Sequence, residues 1–270
     1  MAEFSAKEVM ALRNRTGLPM MDCKAALAEA DGDVDAAEDL LRKKLKGKME
    51  KRSDRAAGEG CIAIAIEGGK AAIVELRAET DFTAKNDKFQ AGAQKIADLA
   101  LACPAGGVTP TAEMTAIIDD IRITTGENCS IARIHRMDAG DGQRFGRYVH
   151  HDGKTGVLVH AEGDASDDLL KEVSMHITAA FPVPKGVTSA DIPAEVVEKE
   201  RKFRVEQAME SGKPREIAEK MVEGGMKKFF AEIALIEQPF IKDPAKTVKD
   251  VIGPGVKIVA FARWAVGESV

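Results

Sequence analysis

The sequence predicts an α+β protein, and three observations carry the prediction. A first stretch of about fifty residues has helical apolar spacing, two hairpin-plus-helix units echo each other, and a helical hairpin precedes a last alternating strand. In the first stretch, Ser5 and Glu8 form a capping box ahead of the apolar positions Val9 and Leu12, and Gly17 ends that helix. A second helical stretch, Asp22 to Ala30, places Met21, Ala25 and Ala28 on one side. Asp31-Gly32-Asp33 reads as a turn with Asp33 as N-cap, after which Val34, Ala37 and Leu41 recur at i, i+3 and i+7. Residues 1–45 are therefore expected to form a three-helix module, one small enough to be marginal for stability on its own.

From Arg42 to Arg55 the chain carries eight Lys or Arg residues against Glu50 and Asp54. With no aromatic interleaved for stacking on bases, residues 46–57 read as a solvated basic linker. The body follows in two halves, 58–145 and 146–270. Cys61 to Ile66, a Gly68-Gly69 turn and Ala72 to Leu76 predict a hairpin, and Phe89, Ala93, Ile96, Ala97 and Ala100 predict the helix after it. Gly153-Lys154, Val157-Leu158-Val159 and Ala161 to Asp164 repeat the pattern, with Leu169, Leu170, Val173, Met175 and Ile177 marking the second helix. Consecutive strands without long crossovers pair antiparallel, which makes each half a sheet covered by helices. Over about 193–236 the pattern becomes two helices separated by Ser211-Gly212-Lys213-Pro214, an inserted helical hairpin arm. Val256, Ile258, Ala260, Ala262 and Trp264 then alternate as a final strand.

Composition excludes several classes. At 270 residues, with 44% hydrophobic and 31% charged residues, the chain can build a sizeable core and a small accessory domain. No apolar run approaches the roughly 20 residues that cross a bilayer, and Met1 to Ser5 do not begin a secretory signal, so the cytoplasm is the expected location. A net charge of −5 argues for a protein partner over a phosphate backbone. Cys23, Cys61, Cys103 and Cys129 lie far apart with no CxxC, as reduced structural thiols do.

Catalytic motifs fail one by one. Gly153-Lys154-Thr155 lacks the earlier glycine of a phosphate loop, since position 148 is Tyr, and reads as a hairpin turn. Adjacent His150 and His151 would point to opposite faces of a strand, and no HExxH or GxSxG is present. A Cys129–His135 nucleophile and base pair rests only on the presence of the two residues. No cofactor, metal or bond chemistry is expected.

Candidate contact residues are few and conspicuous. Thr80-Asp81-Phe82-Thr83 stands where the first hairpin hands over to its helix, in a chain with 4% aromatics. Either Asp81 caps the helix and Phe82 is core, or both project from a rigid corner toward a partner. Met20 and Met21, consecutive after Pro19, cannot both face a small core unless it is loosely packed, so at least one is expected on the surface. A noncatalytic adaptor, binding through the helical module and the basic linker, is the rival to a factor that acts on its partner.

The stretch Thr16-Gly17-Leu18-Pro19-Met20-Met21-Asp22-Cys23-Lys24-Ala25-Ala26-Leu27 and the stretch Glu79-Thr80-Asp81-Phe82-Thr83-Ala84-Lys85-Asn86 resemble the two signatures of the translation elongation factor Ts family. Gly126-Glu127-Asn128, Tyr148-Val149-His150-His151, Met175-His176, Ser211-Gly212-Lys213-Pro214 with Glu219 to Gly224, and Gln238-Pro239-Phe240 follow in the family's order. The joint order is far more specific than any one motif, and it spans nearly the whole chain. The resemblance implies guanine-nucleotide exchange on elongation factor Tu, with no hydrolytic chemistry, membrane or direct nucleic-acid contact. It implies that the N-terminal module is similar to ubiquitin-associated domains and docks on the GTPase domain through Met20 and Met21. Phe82 would wedge between partner helices, Asp81 would engage polar groups nearby, and Thr80 to Thr83 would disturb the magnesium site. A histidine after the Tyr acts as a further wedge, at His150 or His151, and the arm and second half of the body reach another domain of the same partner. A dimer of such complexes stays open. Three departures stand out: Thr83 where Val is common, Gly225 where the arm often has Arg, and an end at Gly267-Glu268-Ser269-Val270 without the C-terminal helix of some relatives.

Overall fold

The computed structural model describes residues 4–50, 52–210 and 215–268. The chain divides into two units, one of Met1–Ala65, Ala72–Arg136 and Val266–Val270, the other of Ile66–Ala71 and Met137–Ala265. Helices and antiparallel sheet make up both, the α+β class that the patterning predicts.

The first unit opens with α1 (Ala6–Thr16), α2 (Met20–Glu29) and α3 (Val34–Glu50). Ser5 caps α1 in a capping box with Glu8, Gly17 closes it with φ 73°, and Asp33 Oδ1 accepts the Asp35 and Ala36 N–H groups at 2.9 and 3.0 Å. The module core gathers Val9, Leu12, Leu18, Cys23, Ala26, Leu27, Ala37 and Leu41. Helix α2 thus turns Cys23, Ala26 and Leu27 inward, and the stripe of Met21, Ala25 and Ala28 faces away. In so alanine-rich a helix two faces carry similar spacing, and the larger Leu27 decides between them.

Along the basic segment Lys43, Lys44, Lys46 and Arg55 are exposed to solvent, yet some of its residues are held by distant partners. Helix α3 continues to Glu50, and Lys46 Nζ lies 2.9 Å from Asp119. Beyond it, Arg52 Nη1 donates to the Gly126 carbonyl at 2.6 Å, and Asn128 Nδ2 donates to the Ser53 and Arg55 carbonyls at 3.0 and 2.7 Å. Lys46 and Arg52 thus find partners about seventy residues away in sequence, which no local charge count reveals.

Strands β1 (Glu59–Glu67) and β2 (Lys70–Ala78) form the first hairpin, turning at Gly68-Gly69. A one-turn helix α4 (Asp81–Ala84), then α5 (Asp87–Ala100), β3 (Gly106–Gly107), α6 (Ala112–Thr125) and β4 (Ser130–Asp138) complete a sheet of order β1-β2-β4-β3. Alternate residues Ala72, Val74, Leu76 and Ala78 of β2 pack on Phe89, Ala93, Ile96 and Ala97 of α5 and on Met114, Ile118 and Ile121 of α6.

In the second unit β5 (Gln143–Val149), β6 (Thr155–Gly163), α7 (Asp167–Ala179), α8 (Ala194–Glu210) and α9 (Arg215–Ile233) lead to β7 (Pro239–Phe240), β8 (Asp243–Thr247), α10 (Val248–Ile252) and β9 (Val256–Ala265). The sheet order is β5-β6-β9, antiparallel, with a bulge at His160/Ala161. Helix α7 lies so close to β5 that a Cβ on Gly146 would sit 2.3 Å from that of Leu170. The two arm helices pair with Arg204 over Gly225 and with Val196, Val197, Phe229, Phe230 and Ile233 clustered at the base. The expected turn at Ser211-Gly212-Lys213-Pro214 lies outside the described residues.

His176 is buried at the foot of the arm, where its Nε2 lies 3.0 Å from Gln238 Oε1 and its Nδ1 accepts the Ile241 N–H at 3.2 Å. Accepting at Nδ1 requires the neutral ring, protonated on Nε2 alone. Burial lowers its pKa below the ordinary 6.5, the hydrogen bond to Gln238 opposing in part. The unfolded chain therefore takes up this proton first as pH falls, so the stabilisation is complete above pH 6.5 and is lost as pH drops toward the folded-state value. Denaturant unfolding measured between about pH 7 and pH 5 should show stability falling, with a shallower slope in His176→Asn. An unchanged slope in the variant would contradict this assignment.

Candidate docking site

Strand β2 ends in a corner whose geometry decides between the two readings of Phe82. Thr80 is extended (φ −125°, ψ 156°) and is the N-cap of α4, its Oγ1 accepting the Thr83 N–H at 3.3 Å. The cap is therefore Thr80, one residue before the Asp81 that the sequence suggested. Asp81 occupies the first helical turn, where a carboxylate is favoured by the backbone dipoles, and lies 2.7 Å from Lys85 Nζ. Successive residues of a helix point about 100° apart, so with Thr83 and Ala84 turned inward at 7% and 5% exposure, Phe82 faces out at 84%. Phe82 is not core.

The corner is held from outside by the loop after α6. Glu127 accepts both the Thr80 N–H, at 3.1 Å on Oε2, and the Thr80 hydroxyl, at 2.7 Å on Oε1. In return Glu79 Oε1 accepts the Asn128 N–H at 2.7 Å, while its Oε2 lies 3.3 Å from Arg55 Nη1. Glu79, Glu127 and Asn128 were not singled out as site residues by the sequence. Gly126-Glu127-Asn128 was visible as a motif, but its pairing with Glu79 and Thr80 spans nearly fifty positions.

Met20 and Met21 open α2 at 44% and 72% exposure, so neither fills the module core. In the same unit a groove of about 1050 Å³ runs past Gly17, Arg42, Phe82, Lys88, Ile117 and Thr124, joining the module to the corner. His150 and His151 belong to the turn after β5 rather than to a strand, so strand alternation does not separate them. Their ring centroids are 4.1 Å apart and His150 Nδ1 lies 3.1 Å from Asp152 Oδ1. That contact and the Lys154 N–H lower the Asp152 pKa despite its desolvation. Phe181, at 97% exposure after α7, is a second projecting aromatic that the sequence reading passed over; the Phe-Pro step ending the helix was its only signal.

Nothing at the site favours nucleophilic chemistry by Cys129. Burial raises its pKa to about 11, and along β4 His135 stands about 20 Å away at the rise of an extended strand. Among the described residues no cluster of His, Cys, Asp or Glu is arranged to hold a metal ion, and no helix is long and apolar enough to cross a membrane.

Apolar side chains exposed on a helical module and at a strand-to-helix corner make this α+β protein's candidate contact surface. The family model for elongation factor TS matches residues 79–268. The chain is 46% identical to elongation factor Ts of Pasteurella multocida over 275 residues, covering 100% of this chain and 94% of that one. It is 44% identical to elongation factor Ts of Alkalilimnicola ehrlichii (98% and 92% covered) and 41% identical to that of Escherichia coli O139:H28 (100% and 94%). The chain belongs to the elongation factor Ts family.

Exposure separates the two phenylalanines of the corner. Phe82→Ala should leave unfolding free energy within about 0.5 kcal/mol of the parent, whereas Phe89→Ala, at 0% exposure, should cost about 3–5 kcal/mol. Equal losses in denaturant titrations would return Phe82 to the core.

Proposed function

We propose that this protein is a guanine-nucleotide exchange factor that binds elongation factor Tu carrying GDP and promotes GDP release, so that GTP can bind during translation elongation. The observation that carries the reading is Phe82, 84% exposed on a one-turn helix whose cap is held by Glu127. A GTPase holds its nucleotide through loop backbone groups, a lysine and a magnesium ion bridging phosphate oxygens. Seating Phe82 between helices of the partner is worth roughly 1.5–3 kcal/mol of burial, enough to hold a loop where the nucleotide cannot stay. Thr80 to Thr83 then act on the magnesium site, with Asp81 meeting polar groups beside it.

Met20 and Met21 dock the ubiquitin-associated-like module on the GTPase domain, and their softness suits an imperfectly shaped surface. The His150–His151 turn provides a second wedge, and the second half of the core with its arm engages another domain. Linkage makes the effect reciprocal: GTP binding weakens the complex by the factor that the complex weakens the nucleotide. Turnover then needs no covalent chemistry from this chain, whose place of action is the cytoplasm.

With elongation factor Tu preloaded with fluorescent GDP and chased with unlabelled nucleotide, stopped flow should show accelerated release. Phe82→Ala should reduce the acceleration about tenfold or more, the rate equivalent of 1.4 kcal/mol or above. Binding without acceleration would favour an adaptor, and that reading further requires all binding to vanish when residues 1–55 are removed.

A further inference from the structure

We propose that Glu127 is a positioning residue for Phe82: its carboxylate fixes the cap of α4 and so presets the direction in which the phenyl ring leaves the surface. This rests on the exchange reading above and assigns the part of the molecule that makes the wedge rigid. A threonine hydroxyl has one proton. Donated to Glu127 Oε1 at 2.7 Å, it leaves a lone pair facing the Thr83 N–H, 3.3 Å away, so one carboxylate orients the hydroxyl that caps the helix. The other oxygen takes the Thr80 N–H at 3.1 Å, which ties down the backbone at the same residue.

Glu127 is itself immobilised on both sides. Gly126, in the left-handed region at φ 73°, closes α6 by donating its N–H to Arg122 O at 2.9 Å, and its carbonyl accepts Arg52. The Glu127 N–H donates to Thr125 Oγ1 at 3.3 Å, and Asn128, 9% exposed, is anchored by its N–H to Glu79 and by its amide to Ser53 and Arg55. Both Glu127 oxygens already accept from Thr80 within the protein, so the carboxylate is oriented toward the cap before any partner arrives. The fluorine signal in the free protein, where no partner is present, separates positioning from direct contact. A four-residue helix is far too short to hold itself, and without this brace Phe82 would lose orientational order before docking and bear that entropy on binding.

The test uses the full chain with para-fluorophenylalanine at position 82 for fluorine NMR, the unlabelled chain for exchange, and the variants Glu127→Gln and Glu127→Ala. Gln keeps the shape but puts an amide donor against one of two donors. We expect GDP release catalysed by Glu127→Gln to fall about tenfold, as loss of a charge-assisted pair predicts. The fluorine resonance should shift toward the free amino acid and narrow, and the melting midpoint should stay within about 3 °C. Glu127→Ala should move rate and resonance at least as far. Parental release with an unmoved resonance in both variants would overturn the proposal. So would a large drop in melting midpoint in both, which would make Glu127 a residue of the fold. If the parent chain itself fails to accelerate release from an active partner, the exchange reading falls, and the fluorine signal alone decides whether Glu127 orders Phe82.

Discussion

Glu75 stands in the middle of β2 with no exposure to solvent, and the first unit is organised around its charge. Its two oxygens each lie 2.6 Å from a guanidinium, of Arg77 and of Arg133, and Oε1 also accepts the Gly267 N–H at 3.2 Å. A buried carboxylate without such partners costs several kcal/mol, so these bonds are obligatory. They tie β2 to β4 and to the C-terminal return of the chain. Slipping β2 by one residue would put Glu75 into the apolar layer and Val74 or Leu76 out of it, which fixes its register. The helices α5 and α6 cover the other face. A strand so constrained delivers Glu79 and Thr80 to one place.

From there rigidity passes outward through hydrogen bonds. Glu79 and Glu127 each accept from the segment that carries the other, and Asn128 extends the frame to the backbone after α3. The charge of the basic segment is used in the same frame, through Arg52, Arg55 and Lys46. Preset groups have less conformational entropy to lose than mobile ones, and this frame holds the backbone from which the Phe82 ring projects. The module that bears Met20 and Met21 joins it through Ile123 of α6, packed on the module core.

Motifs that share a family signature separate physically into two kinds. Phe82, Met20 and Met21 are exposed. His176, Gln238 and Phe240 are buried together: the His176 ring lies 5.6 Å from that of Phe240, and Gln238 Nε2 donates to the Pro182 and Glu232 carbonyls at 2.9 and 2.7 Å. Met175-His176 and Gln238-Pro239-Phe240, sixty residues apart, are halves of one polar pin at the base of the arm. Few residue pairs satisfy buried hydrogen bonding of this kind.

The sequence by itself determined what is local. The capping box at Ser5 and Glu8, the Gly17 stop, the Gly68-Gly69 turn, the apolar face of α5 from Phe89 to Ala100 and the two arm helices follow from spacing, cap chemistry and turn residues within a few positions of each other. It also marked the Thr80 to Thr83 corner, although not which residue caps it. Only the tertiary structure decided that Phe82 faces out, that α2 buries Leu27 instead of Met21, that His150 and His151 share a turn, and that parts of an exposed charged segment are gripped by distant partners. The placements of Phe82, of α2 and of the charged segment turn on partners nearly fifty to more than seventy residues away or on which of two similar faces finds a core, and that of the histidine pair on where β5 ends. The short β3, β7 and β8 escaped for the same reason, since two to five residues carry no period and exist as strands only by virtue of the neighbour they pair with.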